Sequence, residues 1–233
     1  MIKPEIIFQN SSILVVQKPA CILSVPARDH DDQRRVLGRE LEEYLGAKVY
    51  PIHRLDFEVA GPMIYALASE PHREFCQAFE SHAIKKTYQA LGMVELETAK
   101  TNPMVRGKEG MWTSKLVRGK RRTFEAPHGK ESYTLAKLIE QRETNFGIIN
   151  LMELGPRTGR PHQLRYEMMK HGMPIVGDLL YGSSLAYGDL GDGIALCATR
   201  LELSAPLVEK WKVPALFTGP GPLWDYIKKS MPM

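Results

Sequence analysis

The order of the apolar segments is the strongest constraint on how this chain can fold. Ile13-Leu14-Val15-Val16 is a β-branched run that stops at Lys18-Pro19, and Met63 to Ala68 is a second apolar run. Both read as strands. From Thr87 onward the pattern turns mostly β, with Thr87 to Val94, Tyr133 to Ile139 and Phe146 to Leu154 as strands divided by charged or Gly-containing turns. The last two are expected to pair as an antiparallel hairpin through Glu143-Thr144-Asn145, and Ile194 to Leu203 reads as one more strand. Helices are fewer. Between Arg34 and Leu45, Leu37, Leu41, Tyr44 and Leu45 recur at helical spacing, with Gly46 at the C-cap position. Ser69-Glu70-Pro71 opens a helix that puts Phe75 and Phe79 on one face, and His162 to His171 is helical up to Gly172 and Pro174. Strands outnumber helices and do not alternate regularly with them. An α+β fold, with helices packed on a mixed, mostly antiparallel sheet, therefore fits better than a doubly wound parallel sheet. No repeat, low-complexity stretch or linker interrupts the chain, so residues 1–233 are expected to form one domain.

With 43% hydrophobic residues over 233 positions the chain can bury a full core without help. Cys21, Cys76 and Cys197 lie far apart with no CxxC pair, which points to reduced, mostly buried thiols rather than a disulfide framework or a cysteine zinc site. The first residues lack the apolar stretch of a signal peptide, and no run is long enough to span a membrane, so the expected compartment is the cytoplasm. The formal net charge of +4 is too small to mark a nucleic-acid binder. Its distribution is more informative. Lys115, Arg118, Lys120, Arg121 and Arg122 fall in one short segment, preceded by Arg106 and Lys108. Such a run reads equally well as a solvated loop or as a phosphate-contacting patch.

Two stretches place charged and polar residues among turn formers. One is Ile52-His53-Arg54-Leu55-Asp56-Phe57-Glu58-Val59-Ala60-Gly61. The other runs from Gly155 to Arg165 and is followed by Gly172 to Gly182. Loops of this composition are common seats of catalytic groups, although turn chemistry alone accounts for their glycines and prolines.

His53-Arg54-Leu55-Asp56 with Gly61, Thr158-Gly159-Arg160 with His162-Gln163-Leu164-Arg165, and Pro174-Ile175-Val176-Gly177-Asp178 with Leu180-Tyr181-Gly182 resemble the motifs of the RluA-type pseudouridine synthases. Ile13 to Ala20 resembles that family's opening strand and Lys-Pro loop, and Lys86-Thr87-Tyr88 its Lys-x-Tyr motif. The matches follow the family's order over most of the chain. The resemblance implies the pseudouridine synthase fold with its catalytic cleft across the sheet, and conversion of uridine to pseudouridine in ribosomal or transfer RNA without a cofactor. It implies that Asp56 is the catalytic carboxylate, that Tyr88 lies against the target base, and that Arg165 pairs with Asp56. It also implies that Arg54 fills the space left when the uridine swings out. His53, Lys86, Arg160, Gln163 and Leu164 would then border the RNA, and Lys120, Arg121 and Arg122 would meet phosphates.

The chemistry suits these residue types. A stacked base is out of reach, so it must be extruded, and a planar guanidinium can stack in the gap. The reaction breaks the bond from ribose to N1 of uracil, turns the base and rejoins the ribose to C5, with no redox change and no outside atom. A carboxylate can attack the anomeric carbon or the base, and the sequence leaves both routes open. It must be ionised although shielded from water, which a neighbouring arginine favours. Tyr88 either packs on the uracil ring or helps remove the C5 proton.

The chain departs from the family pattern where Val59-Ala60 stands for the usual Thr-Ser, Pro62 for an aliphatic residue and Pro161 for threonine. These changes bear on loop shape and substrate preference. The chain also starts directly with the presumed catalytic domain, without the small RNA-binding module some relatives carry. Two other readings remain. One is a catalytically silent RNA-binding protein of the same fold; the other is a metal-dependent hydrolase using His53, Asp56 and His162, whose spacing is unlike a familiar zinc motif. Absence of metal and a monomeric state are the expectations.

Overall fold

The computed structural model describes residues 3–27, 31–94, 109–144, 147–184 and 193–219. Arg106 and Lys108 of the basic stretch, and Asn145 and Phe146 of the expected hairpin, lie outside them. In chain order the first elements are β1 (Ile6–Gln9), β2 (Ile13–Lys18), α1 (Leu37–Leu45), β3 (Tyr50–Pro51), β4 (Gly61–Ala66), α2 (Ser69–Glu80) and β5 (Ile84–Val94). Then follow β6 (Glu109–Arg118), β7 (Thr123–Glu125), β8 (Lys130–Thr144), β9 (Gly147–Pro156), α3 (Gln163–Lys170), β10 (Leu196–Leu203), α4 (Ala205–Trp211) and β11 (Leu216–Thr218). Two compact units result, one from the described residues up to Lys86 and from Ala198 on, the other from Thr87 to Cys197. The chain passes between them within β5 and within β10.

In the first unit β1, β2, β4 and β3 lie side by side as an antiparallel sheet in that order. Every side chain of β4 is buried, as are Ile13 to Val16 of β2, which explains why both read as unbroken apolar runs without alternation. Ile13, Val15, Ile64 and Ala66 pack with Phe75 of α2 and with Leu203, Leu207 and Phe217. The helix expected from Arg34 starts three residues later, at Leu37, and ends where Gly46 adopts φ +64. α2 begins at Ser69 as expected.

In the second unit β5, β9, β8, β6 and β7 are neighbours in that order, all antiparallel. The β8–β9 hairpin joins the two expected strands; β8 runs well past its apolar centre, because its ends carry the charged residues Lys130, Glu131, Glu140, Arg142 and Glu143. α3 packs against β6, β7 and β9. Gly92 of β5 permits a close approach there: a Cβ on it would fall 2.6 Å from Met168 Cε and 2.9 Å from Met173 Cβ.

The basic stretch is not the loop its composition suggests. Lys115 and Arg118 belong to β6, and only the turn from Gly119 to Arg122 joins it to β7. The strand has period two: Trp112, Ser114 and Leu116 are buried, whereas Met111, Thr113 and Lys115 point outward. The outward lysine masked the strand signal. No helix among the described residues is long and apolar enough to cross a membrane. None of the three cysteines is in a disulfide among the described residues; Cys197 is buried, but Cys21 and Cys76 are only half-buried, less enclosed than expected.

Candidate active site

Asp56 sits in the loop between β3 and β4, half-buried. The backbone on both sides of it is pinned by polar groups from elsewhere in the first unit. Ser24 Oγ donates to the Leu55 carbonyl at 2.8 Å and accepts from the Leu55 amide at 3.0 Å. Cys21 N donates to the Phe57 carbonyl at 2.8 Å, and Val59 N to the Asp56 carbonyl at 3.2 Å. The third anchor is Lys18, at the end of β2 and 0% exposed. Its ammonium donates to the carbonyls of Pro19 (3.0 Å), Phe57 (3.1 Å) and Val59 (2.8 Å). Among the described residues no hydrogen bond or ion pair occupies the Asp56 carboxylate. A carboxylate acting only as a turn or cap residue would be tied to a neighbouring amide.

Burial pushes the Lys18 ammonium down to about 8 from the usual 10.5, while the charges of Cys21, Asp56 and Glu58 pull it up. The unfolded chain would keep this proton up to about 10.5. Between the two values the unfolded state binds more protons, so stability rises with pH across that window. Relative to a Lys18→Met variant, the protein should gain on the order of 3 kcal/mol between pH 8 and 10.5, read by urea unfolding at stepped pH. A stability difference that stays flat with pH would contradict a charged, buried clamp.

His53 is also spent on structure. Its Nε2 accepts the Ile64 amide at 3.1 Å, and its ring packs against Phe79, tilted by 32° with 4.7 Å between centroids. Burial, with the charge of Lys86, holds it down to about 3, so it is neutral near pH 7. The Lys86 ammonium lies over the Phe79 ring, 6.0 Å from its centroid, and burial lowers its pKa. Arg54, between His53 and Leu55, is exposed. Gly61 closes the loop at φ +145, where a Cβ would lie 2.5 Å from Ala198 Cβ and 2.8 Å from its carbonyl oxygen. Only glycine fits there.

The second unit holds the other motif residues. Tyr88, on β5 opposite Leu154, is 9% exposed. Arg165, on α3, is 2% exposed and donates from Nε to Asp178 Oδ2 at 2.7 Å and from Nη2 to Oδ1 at 2.8 Å. Its guanidinium carbon lies 5.3 Å from the Tyr181 ring centroid. Asp178 is 1% exposed. Such a bidentate pair fixes both the plane and the rotamer of the guanidinium.

Gln163 and Leu164, expected at RNA, are 4% and 7% exposed. All four hydrogen-bonding positions of the Gln163 amide are taken: Oε1 accepts from Thr158 Oγ1 and Arg160 N, and Nε2 donates to Tyr133 O and Thr134 Oγ1. The Gln163 amide thereby ties Thr158 and Arg160 to β8. Arg160 is half-buried, with Nε on the Glu131 carbonyl at 2.9 Å. Lys120, Arg121 and Arg122 are exposed. Their turn adjoins this loop, because Thr123 Oγ1 donates to the Pro161 carbonyl (2.7 Å) and Thr123 N to Tyr181 Oη (2.7 Å). His162 Nδ1 lies 3.2 Å from the same Tyr181 oxygen. Among the described residues no group of three or more His, Cys, Asp or Glu is arranged to hold a metal ion.

Lys18 and Asp178 escaped the reading of candidate site residues, although both stand inside quoted motifs. A lysine closing an apolar strand, and an aspartate inside an apolar stretch, were the available signals.

Residues 12–171 match the model of a family described as RNA pseudouridylate synthase. The dual-specificity RNA pseudouridine synthase RluA of Pasteurella multocida is 30% identical over 210 residues, covering 89% of this chain and 90% of that protein. The tRNA pseudouridine synthase C of Salmonella typhimurium is 29% identical over 217 residues, covering 87% and 80%. The solved structure of human RNA pseudouridylate synthase domain containing 1 superposes with a TM-score of 0.69 at 19% identity, over 99% of this chain and 97% of that one. That of domain containing 4 gives 0.61 at 20% identity, over 88% and 85%. At these identities the structural likeness speaks for the α+β fold alone.

Proposed function

We infer the function from one premise: this chain belongs to the RNA pseudouridylate synthase family and is an isomerase acting on uridine in RNA. Its substrate is ribosomal or transfer RNA, the latter named for the Salmonella relative, and Asp56 is the nucleophile. The observation that carries the assignment is the Asp56 loop, whose backbone is anchored on both sides while its half-buried carboxylate has no hydrogen bond or ion pair among the described residues. Preorganised backbone of this kind lets a nucleophile meet an extruded nucleotide without first ordering a loop. Arg54 takes the place of the extruded uridine, Tyr88 lies against the uracil, and Arg165 is the third residue that serves the reaction. Asp178 orients that guanidinium.

The loss of two loop hydroxyls through Val59-Ala60 favours a silent RNA-binding protein as the second reading. Anchoring by Ser24 and Lys18 supports the active reading, since it holds the loop backbone without those hydroxyls. The test uses ribosomal and transfer RNA carrying tritium at C5 of uridine. The protein should release tritium to water; binding without release from any of these RNAs would establish the silent protein. Arg54→Ala should lower release from folded RNA by about 10- to 100-fold, the equivalent of a few kcal/mol of extrusion cost. An unchanged rate would remove Arg54 as the wedge.

A further inference from the structure

The sheet of the second unit has one face covered by α3 and one that is open. On the covered side of β6 and β8 lie Trp112, Ser114, Leu116, Ser132, Thr134 and Ala136, all buried. The open side carries Met111 (45% exposed), Phe124 (44%) and Tyr133 (37%). Register puts the three on the same face: Phe124 of β7 stands opposite Val117, and Tyr133 of β8 opposite Thr113, both two-residue steps from Lys115 on β6. Single exposed apolar side chains are ordinary, but three on the open face of adjacent strands form a patch. Tyr133 and Phe124 are two strand spacings and four β6 residues apart, roughly 16 Å, the reach of a few extended nucleotides.

The charges around this patch are mainly positive. Lys115 lies between the two rings, Arg118, Lys120, Arg121 and Arg122 follow at the β6–β7 end, and the Arg160 guanidinium is held at the Glu131 carbonyl. Of the acids on the same face, Glu131 accepts the Tyr133 hydroxyl and Glu109 pairs with Lys137 at 3.6 Å. The phenol is thereby tethered along its own strand, with its ring left in solvent.

We propose that the open face of β6, β7 and β8 binds a single-stranded segment of the substrate RNA, with bases stacked on Tyr133 and Phe124 and phosphates held by Lys115 and the Arg118–Arg122 turn. This rests on the RNA-modifying reading above. Aromatic rings interleaved with cations favour unpaired over paired RNA, because a duplex hides the base faces that would stack.

The test is binding of a fluorescently labelled oligouridine, followed by anisotropy, beside tritium release by the unaltered protein. Replacing both rings, Tyr133→Ala with Phe124→Ala, should weaken oligouridine binding by at least about tenfold, since each stacked base is worth roughly fivefold or more. Tyr133→Phe with Phe124→Tyr should restore it. Both positions are on the surface, so folding is not at risk. Undiminished binding by the double alanine variant would overturn the proposal. So would concentration-dependent sedimentation that the variant abolishes, because the face would then join two copies of the chain. Loss of oligouridine binding in the variant, with no tritium release by the unaltered protein, would keep the RNA face and refute the isomerase assignment instead.

Discussion

Asp56→Asn should abolish tritium release from RNA, by on the order of 10³-fold or more, while leaving the protein folded and able to bind RNA. Removing a covalent nucleophile typically costs this much, because no other group can form the intermediate. Stability should change little, within about 0.5 kcal/mol, because no hydrogen bond among the described residues depends on the carboxylate. Asparagine keeps the shape and removes the charge, so a lost rate could not be blamed on a collapsed loop. The same variant carries an internal control. Asp56 is one of the charges that raise the Lys18 ammonium against its burial, so without it Lys18 should titrate lower than about 8. Retained turnover in Asp56→Asn, together with a lowered Lys18, would show that the carboxylate is close to the clamp but is not the attacking group.

Asp178→Ala should be the most destabilising single change in the second unit. It would leave the Arg165 guanidinium charged and without its bidentate acceptor at 2% exposure, and breaking such a pair costs about 3–5 kcal/mol. Urea unfolding would measure it. The double variant Arg165→Met with Asp178→Leu should regain most of that loss, because apolar side chains of similar size need no partner. Both variants should be inactive on RNA if Arg165 serves the reaction. A cost below about 1 kcal/mol for Asp178→Ala would mean that water reaches the guanidinium, and that the pair does not fix its plane.

Much of the architecture was legible along the chain, for identifiable reasons. The runs of β2 and β4 are apolar because both faces are covered, and the β8–β9 hairpin shows two apolar centres separated by a polar stretch. Gly46 marks the end of α1 because its left-handed φ suits glycine. β6 was hidden because its outward positions carry lysine and arginine, which make a half-exposed strand look like a solvated loop. The motif residues were legible too, by type and order, but not all of their tasks. The four partners of the Gln163 amide, and the packing of the His53 ring against Phe79 with the Ile64 amide on its nitrogen, come from segments that spacing does not connect.

Residue type and periodicity, which are local quantities, marked most of the segments that extend or coil, and the order of the motifs carried the family resemblance. Tertiary structure alone decided the long-range pairings: that the ammonium of Lys18 closes on the Val59 carbonyl forty-one positions away, and that the buried acceptor of Arg165 is Asp178. The physical reason is burial. A charge placed in the interior must find a partner there, and which group supplies it depends on what the fold brings within about 3 Å, a distance that spacing along the chain does not encode.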